Sequence, residues 1–414
     1  MASINGILDL MGKLQSPGIT VHQERCVLVR NRNADCLRCA EACTSGCISY
    51  DGEALTVSPE RCIACGTCAT VCPTCALEAR HPTDAELMAA CRSAAEAGEG
   101  AVVIGCGELL DRARGRYDER KVVRVECLGR VDESLLVGCA ADGVETVALA
   151  HGDCAACEHA TGRACAEAVC ATVRTLLEAW DAPLAVKLTA KLPAATRREG
   201  GTVAEQEARR GAERRDLLQR GSREAARVGA VVAESVAEDA LGAVGLGSGA
   251  AGGTEGKAGE TSPRYTKVMA DGTLPHFIPD RRERLLDALA ELGEPADVMV
   301  DTRLWGHVVI DPAACTSCQM CATFCPTGAL RKFQDPDGTF GVEHGPADCA
   351  KCRLCASICP AGAIEISEEV FARDLLRGMT DRYAMAPRPV QHDTPHAIWH
   401  TMRLKMKTDQ VYER

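Results

Sequence analysis

Cysteine spacing determines the chemistry that this sequence can support. The clearest run is Cys62-Ile-Ala-Cys65-Gly-Thr-Cys68-Ala-Thr-Val-Cys72-Pro73. Three cysteines separated by two residues, then a fourth after three residues and followed by proline, is a spacing that binds 4Fe-4S clusters. The tight turn directs three thiolates at one cluster, and the fourth reaches a different cluster. The run therefore predicts at least one more of its kind.

Three further runs are present. Two lie late in the chain, Cys315-x2-Cys318-x2-Cys321-x3-Cys325-Pro326 and Cys349-x2-Cys352-x2-Cys355-x3-Cys359-Pro360. The first run of the chain, Cys26-x9-Cys36-x2-Cys39-x3-Cys43, contains an insertion and is followed by Thr44 where the other three have proline. Four runs predict four 4Fe-4S clusters, arranged as two pairs.

Exchange of the fourth ligand within each pair defines four predicted ligand sets. They are Cys26, Cys36, Cys39 and Cys72; Cys62, Cys65, Cys68 and Cys43; Cys315, Cys318, Cys321 and Cys359; and Cys349, Cys352, Cys355 and Cys325. Cys47 and Cys75 follow the last ligand of their runs. Each either fills apolar space beside a cluster or substitutes for a neighbouring ligand.

The insertion between Cys26 and Cys36 carries two arginines, Arg30 and Arg32. We expect it to form a loop over the first cluster. Its positive charges would raise the reduction potential of that cluster or dock an acidic partner. The alternative is an ordinary solvated loop.

The composition favours metal sites over disulfide bonds. The chain has 414 residues and 26 cysteines, whereas disulfide scaffolds are short secreted chains. Its start has no charged segment leading into a long apolar core, and no stretch approaches the roughly 18 apolar residues of a membrane span. We therefore expect a cytoplasmic protein with reduced thiols. The net charge of -11 argues against nucleic acid as a partner.

The middle of the chain alternates between short apolar runs and helix-like segments. The runs 101–104, 122–125 and 144–149 predict strands, and 84–97, 131–141 and 160–180 predict helices, which together favour an open parallel sheet. Because the carboxyl ends of parallel strands meet at one edge, the cysteines that follow them should converge. These are Cys106, Cys127, Cys154 and Cys157. Four converging thiolates predict a further centre, most simply 2Fe-2S.

The same region resembles a known family. Glu126-Cys127-Leu-Gly129-Arg130-Val131-Asp132, Ala141-Asp142-Gly143-Val144 and His151-Gly152-Asp153-Cys154 look like the delta subunit of methyl-viologen-reducing hydrogenase. The resemblance implies a 2Fe-2S cluster that passes electrons from a hydrogenase or formate dehydrogenase to a flavin-containing, heterodisulfide-reductase-like partner. The cysteine runs on either side resemble bacterial-type two-cluster ferredoxins.

The predicted fold class is α/β and α+β multidomain, with two ferredoxin-like modules around the small parallel-sheet domain. Cys91, Cys139, Cys165 and Cys170 fall on predicted helices and are interpreted as core residues. The basic residues near the end of the tail would clamp a partner subunit or be solvated.

The predicted segments are an N-terminal segment 1–25 with a short helix, Ile7 to Leu14; a two-cluster module 26–80; the α/β domain 81–188; a linker 189–263, first helical and then flexible; a connecting segment 264–310; a second two-cluster module 311–367; and a tail 368–414.

These features predict an iron-sulfur electron-transfer subunit of an anaerobic oxidoreductase complex. A cluster with four cysteine ligands has no open coordination position, so it transfers electrons rather than binding substrate. The partners implied by the resemblance are a hydrogenase or formate-dehydrogenase-type catalytic subunit and a flavin, heterodisulfide-reductase-like or ferredoxin acceptor. Two alternatives stay open: a thiol-disulfide reductase that uses Cys154 and Cys157, and a redox-sensing binding module.

Overall fold

The computed structural model describes residues 18–198, 269 and 271–386. The predicted helix Ile7 to Leu14, nearly all of the linker 189–263 and the basic end of the tail lie outside these residues. Within the described ranges, every helix is too short or too polar to cross a lipid bilayer. All 26 cysteines lie in the described part of the chain, and all are free thiols.

The first cysteine runs lie in a small antiparallel unit. Strand β1 (Ile19–Val21) pairs with β4 (Leu77–Ala79), and β2 (Ile48–Tyr50) forms a hairpin with β3 (Leu55–Val57). Its helices are α1 (Val27–Arg30), α2 (Arg38–Glu41) and α3 (Thr67–Val71). Strand β1 lies before the module boundary predicted at residue 26. Its ladder hydrogen bonds to β4 make it part of the module, and the cysteine spacing carried no signal for it.

The turn of the β2–β3 hairpin follows from local chemistry. Asp51 Oδ1 accepts hydrogen bonds from the backbone N–H groups of Glu53 and Ala54, both at 2.8 Å. Gly52 adopts a φ of 99°, which glycine reaches without the steric penalty of a side chain.

The middle region confirms the predicted parallel sheet and adds a strand to it. The sheet has the order β6-β5-β7-β8, with every neighbouring pair parallel. The strands are β5 (Ala101–Cys106), β6 (Val122–Val125), β7 (Thr146–Ala150) and β8 (Ala185–Thr189). The edge strand β8 was missed because exposed Lys187 interrupts its apolar residues, unlike the almost wholly buried β5.

Helices cover this sheet. They are α4 (Asp84–Ala97), α5 (Gly107–Arg112), α6 (Glu133–Ala141) and α7 (Gly162–Ala179). Helix α4 begins with a capping box: Thr83 accepts from the N–H of Glu86, and the Glu86 carboxylate accepts from the N–H of Thr83. The three long predicted helices therefore form close to their predicted bounds.

The predicted connecting segment folds onto the α/β domain. Helix α8 (Asp280–Leu292) packs on α6, and its Leu285, Ala288 and Leu289 are buried in the same hydrophobic core as the sheet. Strand β9 (Met299–Asp301) follows. The apolar face of α8 must be buried, and α6 supplies the surface. Residues 280–301 are thus part of the α/β core rather than a connection.

The order of elements seen in the N-terminal module recurs late in the chain. Strand β10 (His307–Ile310) pairs with β13 (Ile364–Ser367), and β11 (Leu330–Gln334) forms a hairpin with β12 (Phe340–His344). Helices α9 (Met320–Phe324) and α10 (Leu354–Ile358) occupy the places of α2 and α3. The first strand again precedes the predicted boundary, which was residue 311.

The predicted tail is folded over its described part. Strand β14 (Glu369–Phe371) pairs with β9, helix α11 (Asp374–Arg377) follows, and β15 (Asp381–Met385) adds a third strand beside β12. Val370 and Leu375 are buried in the α/β core. The chain thus returns to the α/β domain and then to the late cysteine module.

The insertion in the first cysteine run forms α1 and an interface. Arg30 is only 7% exposed. Its guanidinium donates to the carbonyl oxygens of Pro275 at 3.0 Å, and of Phe324 and Cys325 at 3.3 Å. The expectation of a loop above a cluster or in solvent is wrong for Arg30: it lies in α1, and its guanidinium N–H groups are hydrogen-bonded to backbone carbonyl oxygens. Arg32 is exposed.

Candidate iron-sulfur centres

Two cavities in the late module are lined by cysteine. One is lined by Cys315, Cys318, Cys321 and Cys359 together with apolar side chains such as Ile310 and Ile364. The other is lined by Cys325, Cys349, Cys352 and Cys355, again with mainly apolar neighbours. Each cavity thus brings together three cysteines of one run and the fourth of the other.

The backbone of the regular runs explains this convergence. The second and fourth residues after the first cysteine adopt positive φ in all three runs. They are Ala64 and Gly66, Ser317 and Gln319, and Lys351 and Arg353. These left-handed positions turn the chain tightly enough to direct three thiols to one side, at a steric cost where the residue is not glycine.

Backbone N–H groups point at the fourth cysteine of each regular run. The N–H of Ala76 donates to Cys72 Sγ at 3.2 Å, and that of Ala363 donates to Cys359 Sγ at 3.3 Å. The N–H of Leu330 donates to Cys325 Sγ at 3.4 Å. Such bonds stabilise a thiolate, which is the form that binds iron.

Electrostatic interactions between thiols link the cysteines of the predicted first ligand set. Burial, with smaller contributions from the thiols of Cys72 and Cys36, raises the pKa of Cys26 to about 11. Burial also raises the pKa of Cys39 to about 12, again with a contribution from Cys72 and Cys26. Neighbouring thiols that disfavour one another's ionisation are suited to bind a cationic core, because binding releases their protons.

Two neighbouring cysteines, Cys43 and Cys47, compete for the fourth ligand position of the predicted second set. Burial raises the pKa of Cys68, and Cys65 and Cys62 add to it. Cys43 Sγ and Cys47 Sγ are 3.5 Å apart. Burial raises the pKa of Cys43, but hydrogen bonds from Ser45 and from the N–H of Cys47 outweigh it and lower the pKa overall.

Cys47 differs in its ionisation. Burial raises its pKa to about 12. The N–H of Cys47 donates to Cys43 Sγ and takes the role that the N–H of Ala76 has for Cys72. This arrangement favours Cys43 as the ligand and Cys47 as its hydrogen-bond donor.

The α/β domain brings the four cysteines after its strands together. Burial raises the pKa of Cys127 to about 12, with Cys106 and Cys154 among its charged neighbours. The pKa of Cys154 is raised by burial and then by Cys106 and Cys157. The N–H of Gly152 donates to Cys106 Sγ at 3.3 Å. The thiols meet at the carboxyl edge of the sheet, where β5 lies between β6 and β7.

The cysteine sets are too open for a single metal ion. Around one tetrahedral ion with sulfur at about 2.3 Å, the sulfur atoms would lie about 3.8 Å apart. Among the described residues, the group of three or more candidate ligands with all donor atoms within 4.8 Å of one another is His307, His344 and Asp381, and it contains no cysteine. No three of these thiols therefore lie as close together as one tetrahedral ion would require.

Cysteines of successive sets are electrostatic neighbours. Cys127 of the α/β site interacts with Cys65, and Cys68 interacts with Cys39. Two further pairs extend the series into the late module: Cys352 with Cys36, and Cys355 with Cys321. Taken together, the pairs join the five sets in one unbranched order.

A buried arginine beside the first set was not predicted. Arg281 Nε and Nη2 each lie 3.3 Å from Cys75 Sγ, and Nη2 donates to Cys72 O at 2.9 Å. Burial lowers the pKa of Arg281, but Cys75 and Asp132 raise it more. Cys75 therefore contacts a cationic side chain and does not simply fill apolar space. Arg281 lies within Asp280-Arg-Arg-Glu-Arg, a sequence typical of an exposed helix start. The sequence alone therefore did not indicate that its side chain contacts a cysteine.

The remaining cysteines behave as core residues. Cys91, Cys139 and Cys170 are each 1% exposed within the α/β core. Cys165 Sγ lies 3.8 Å from Gly129 O. None of these four lines the two cysteine cavities of the late module.

Family models match three stretches of the chain. The model described as methyl-viologen-reducing hydrogenase, delta subunit, matches residues 100–188. A 4Fe-4S dicluster domain matches 314–363, and a 4Fe-4S binding domain matches 55–78. No curated protein and no solved structure matches the chain. The chain therefore carries stretches that match 4Fe-4S ferredoxin domains and a domain similar to the delta subunit of methyl-viologen-reducing hydrogenase.

Proposed function

We propose that this chain is an electron-transfer subunit of a redox complex. It relays low-potential electrons between a hydrogenase or formate-dehydrogenase-type catalytic subunit and a flavin, heterodisulfide-reductase-like or ferredoxin acceptor. The ferredoxin domains and the domain similar to a hydrogenase delta subunit support the general role. The hydrogenase is suggested by the name of that family, and the other partners are those implied by the resemblance described in the sequence analysis.

The proposal assigns the cysteines as follows. The four ligand sets predicted from the runs hold four 4Fe-4S clusters in two modules, and Cys106, Cys127, Cys154 and Cys157 hold a 2Fe-2S cluster. When bound, such clusters supply one-electron oxidation and reduction. The protein's own contribution is to hold the thiolates, donate N–H groups to sulfur and exclude water through apolar walls.

The observation that carries this proposal is the series of neighbouring cysteines. Cys127 neighbours Cys65, Cys68 neighbours Cys39, Cys36 neighbours Cys352, and Cys355 neighbours Cys321. An enzyme with one reactive centre needs no such series, whereas a relay needs each centre beside the next.

The two ends of the series differ in accessibility. At the late end, Cys318 is an exposed thiol. At the other end, Cys154 and Cys157 are partly exposed at the edge of the sheet. The centres between them are connected by buried residues, among them Cys68 and Cys349. Cys318, the exposed thiol, is therefore where we place the contact with one partner.

Iron analysis with electron paramagnetic resonance tests the proposal. Anaerobically purified protein should contain about eighteen irons per chain, from four 4Fe-4S clusters and one 2Fe-2S cluster. Fully reduced protein should show magnetic coupling between clusters. Cys39→Ser should remove about four irons and uncouple the two modules. A count below about sixteen, or coupling unchanged in this variant, would contradict the relay.

The thiol-disulfide reductase remains distinguishable from the relay. Under the relay, Cys157→Ser loses the 2Fe-2S signal. Under the reductase, the same variant keeps its iron and loses only disulfide turnover. Burial raises the pKa of Cys154, whereas the optimal attacking thiol has a pKa near the ambient pH, so Cys154 is poorly suited to attack a disulfide.

A further inference from the structure

One group of metal-ligating side chains contains no cysteine. His307 begins β10, His344 ends β12 and Asp381 begins β15. Their donor atoms all lie within 4.8 Å of one another. No function proposed above uses them, so the inference below does not depend on the relay.

The strand register places two of these residues on one face. His344 and Asp381 are directly paired across the antiparallel strands β12 and β15, and directly opposed residues project to the same side of a sheet. His307 completes the group from β10. Its Nε2 lies 2.9 Å from Asp381 Oδ2, and its ring stacks on that of His344 with centroids 5.8 Å apart.

The third member is an unsatisfied buried group. His344 is 0% exposed, and neither of its ring nitrogens has a hydrogen-bond partner among the described residues. A buried polar group without a partner is costly, typically about 1–3 kcal/mol, and it calls for a ligand or ion that completes it.

We propose that His307, His344 and Asp381 bind one divalent transition-metal ion of the zinc class. Two neutral imidazoles and one carboxylate are ligands that zinc prefers, with a fourth position for water. The side chains of His307 and Asp381 are 35% and 51% exposed, so the ion can enter from solvent. The bound ion ties β15 to β10 and β12 of the late module.

The test uses full-length, cluster-loaded protein, with zinc chloride as the probe. After chelation and desalting, wild-type protein should bind one zinc per chain. X-ray absorption at the zinc edge should show nitrogen and oxygen neighbours at about 2.0–2.1 Å and no sulfur at about 2.3 Å. A sulfur shell, or less than one zinc per chain, would overturn the proposal.

Variants of the two exposed ligands locate the site. His307→Ala and Asp381→Asn should each weaken zinc binding by more than about 100-fold, since even altering an outer partner of a ligand costs about 10–100-fold. Iron content and the cluster spectra should stay unchanged, which shows that the module is folded. Zinc binding unaffected by both variants would refute the site.

His22→Ala is the matched control. His22 Nε2 also lies 2.8 Å from a carboxylate, that of Glu78, but it has no buried third ligand. This variant should bind zinc like the wild type, and loss of zinc from it would argue against the site.

His344 also lines the cavity of Cys325, Cys349, Cys352 and Cys355. If wild-type protein takes up no zinc and His344→Gln changes the cluster spectrum, the imidazole serves that cavity and the proposal fails.

Discussion

The two cysteine modules share one strand and helix order but differ in how their first runs are built. In the late module, both runs are regular, and Gln319 and Arg353 accept positive φ to keep the turn. In the early module, the first run carries an insertion, and Leu37, the residue after its second cysteine, has a φ of -126°. The irregular run thus reaches its ligand geometry without the left-handed turn.

The insertion in the first run of the early module forms a contact with the late module. The extra residues form α1, whose Arg30 donates to carbonyl oxygens of the late module. Next to it, Val27 packs with Leu354 and Ile358 of that module in a small hydrophobic cluster of its own. Where a regular run would have a left-handed turn, the early module has an interface with the late module. This interface places Cys36 near Cys352.

The largest expected effect separates Cys43 from Cys47. If the irregular run follows the same ligand pattern as the regular ones, Cys43→Ser should lose about four irons per chain and break the relay. Cys47→Ser should keep its iron, because its N–H rather than its thiol serves Cys43. Iron analysis and electron paramagnetic resonance provide the measurement. The reverse result would make Cys47 the ligand and the two modules less alike.

The next effect concerns the interface. Arg30→Met should destabilise the protein by about 3 kcal/mol, since it leaves buried carbonyl oxygens without a donor and removes a charge-assisted bond. Arg32→Met, in the same insertion but exposed, is the control and should change stability by less than about 0.5 kcal/mol. Anaerobic urea denaturation, followed by cluster absorbance, measures both. Equal effects would mean that α1 is not an interface.

A smaller effect is expected at Lys351, which occupies the position of Ala64 in the early run. Lys351 Nζ donates to Thr302 O at 2.6 Å and pairs with Glu368. Lys351→Met should therefore cost about 1–3 kcal/mol, measured by the same denaturation. An unchanged midpoint would show that this buried ammonium is dispensable.

The pair also predicts a pH dependence. The hydrogen bond from Lys351 lowers the pKa of Glu368 below its ordinary 4.5. A lowered carboxyl pKa stabilises the fold above the unfolded-state value, and this contribution is lost as the pH falls through the lowered pKa. The stability gap between wild type and Glu368→Gln should therefore close on acidification. A gap that widens toward acid pH would contradict the ion pair.

The smallest effect tests the left-handed turn. Ala64→Gly removes a Cβ at a φ of 51°, which relieves steric strain but adds freedom to the unfolded chain. The two terms nearly cancel, so stability should change by less than about 1 kcal/mol, and the iron content should stay the same. The denaturation midpoint and iron analysis check this. A loss of iron would mean that the alanine methyl group supports the cluster site directly.

Local sequence patterns predicted much of this molecule. The long helices at 84–97, 131–141 and 160–180, and the parallel strands before Cys106 and Cys127, follow from periodicity that a short window contains. The prediction was less successful where burial depends on a distant partner. The apolar face of α8 appears in the sequence, but nothing nearby in the chain shows that α6 covers it.

The sequence by itself showed which thiols belong to one run, because the spacing within a run is a local property of the chain. Only the tertiary structure decided the neighbours of those thiols. Arg30 beside Cys325, Arg281 beside Cys75, and His344 between β10 and β15 each join residues far apart in the chain. Such contacts arise from the packing of whole elements, and burial then gives their charges and unsatisfied polar atoms an influence that exposed groups lack.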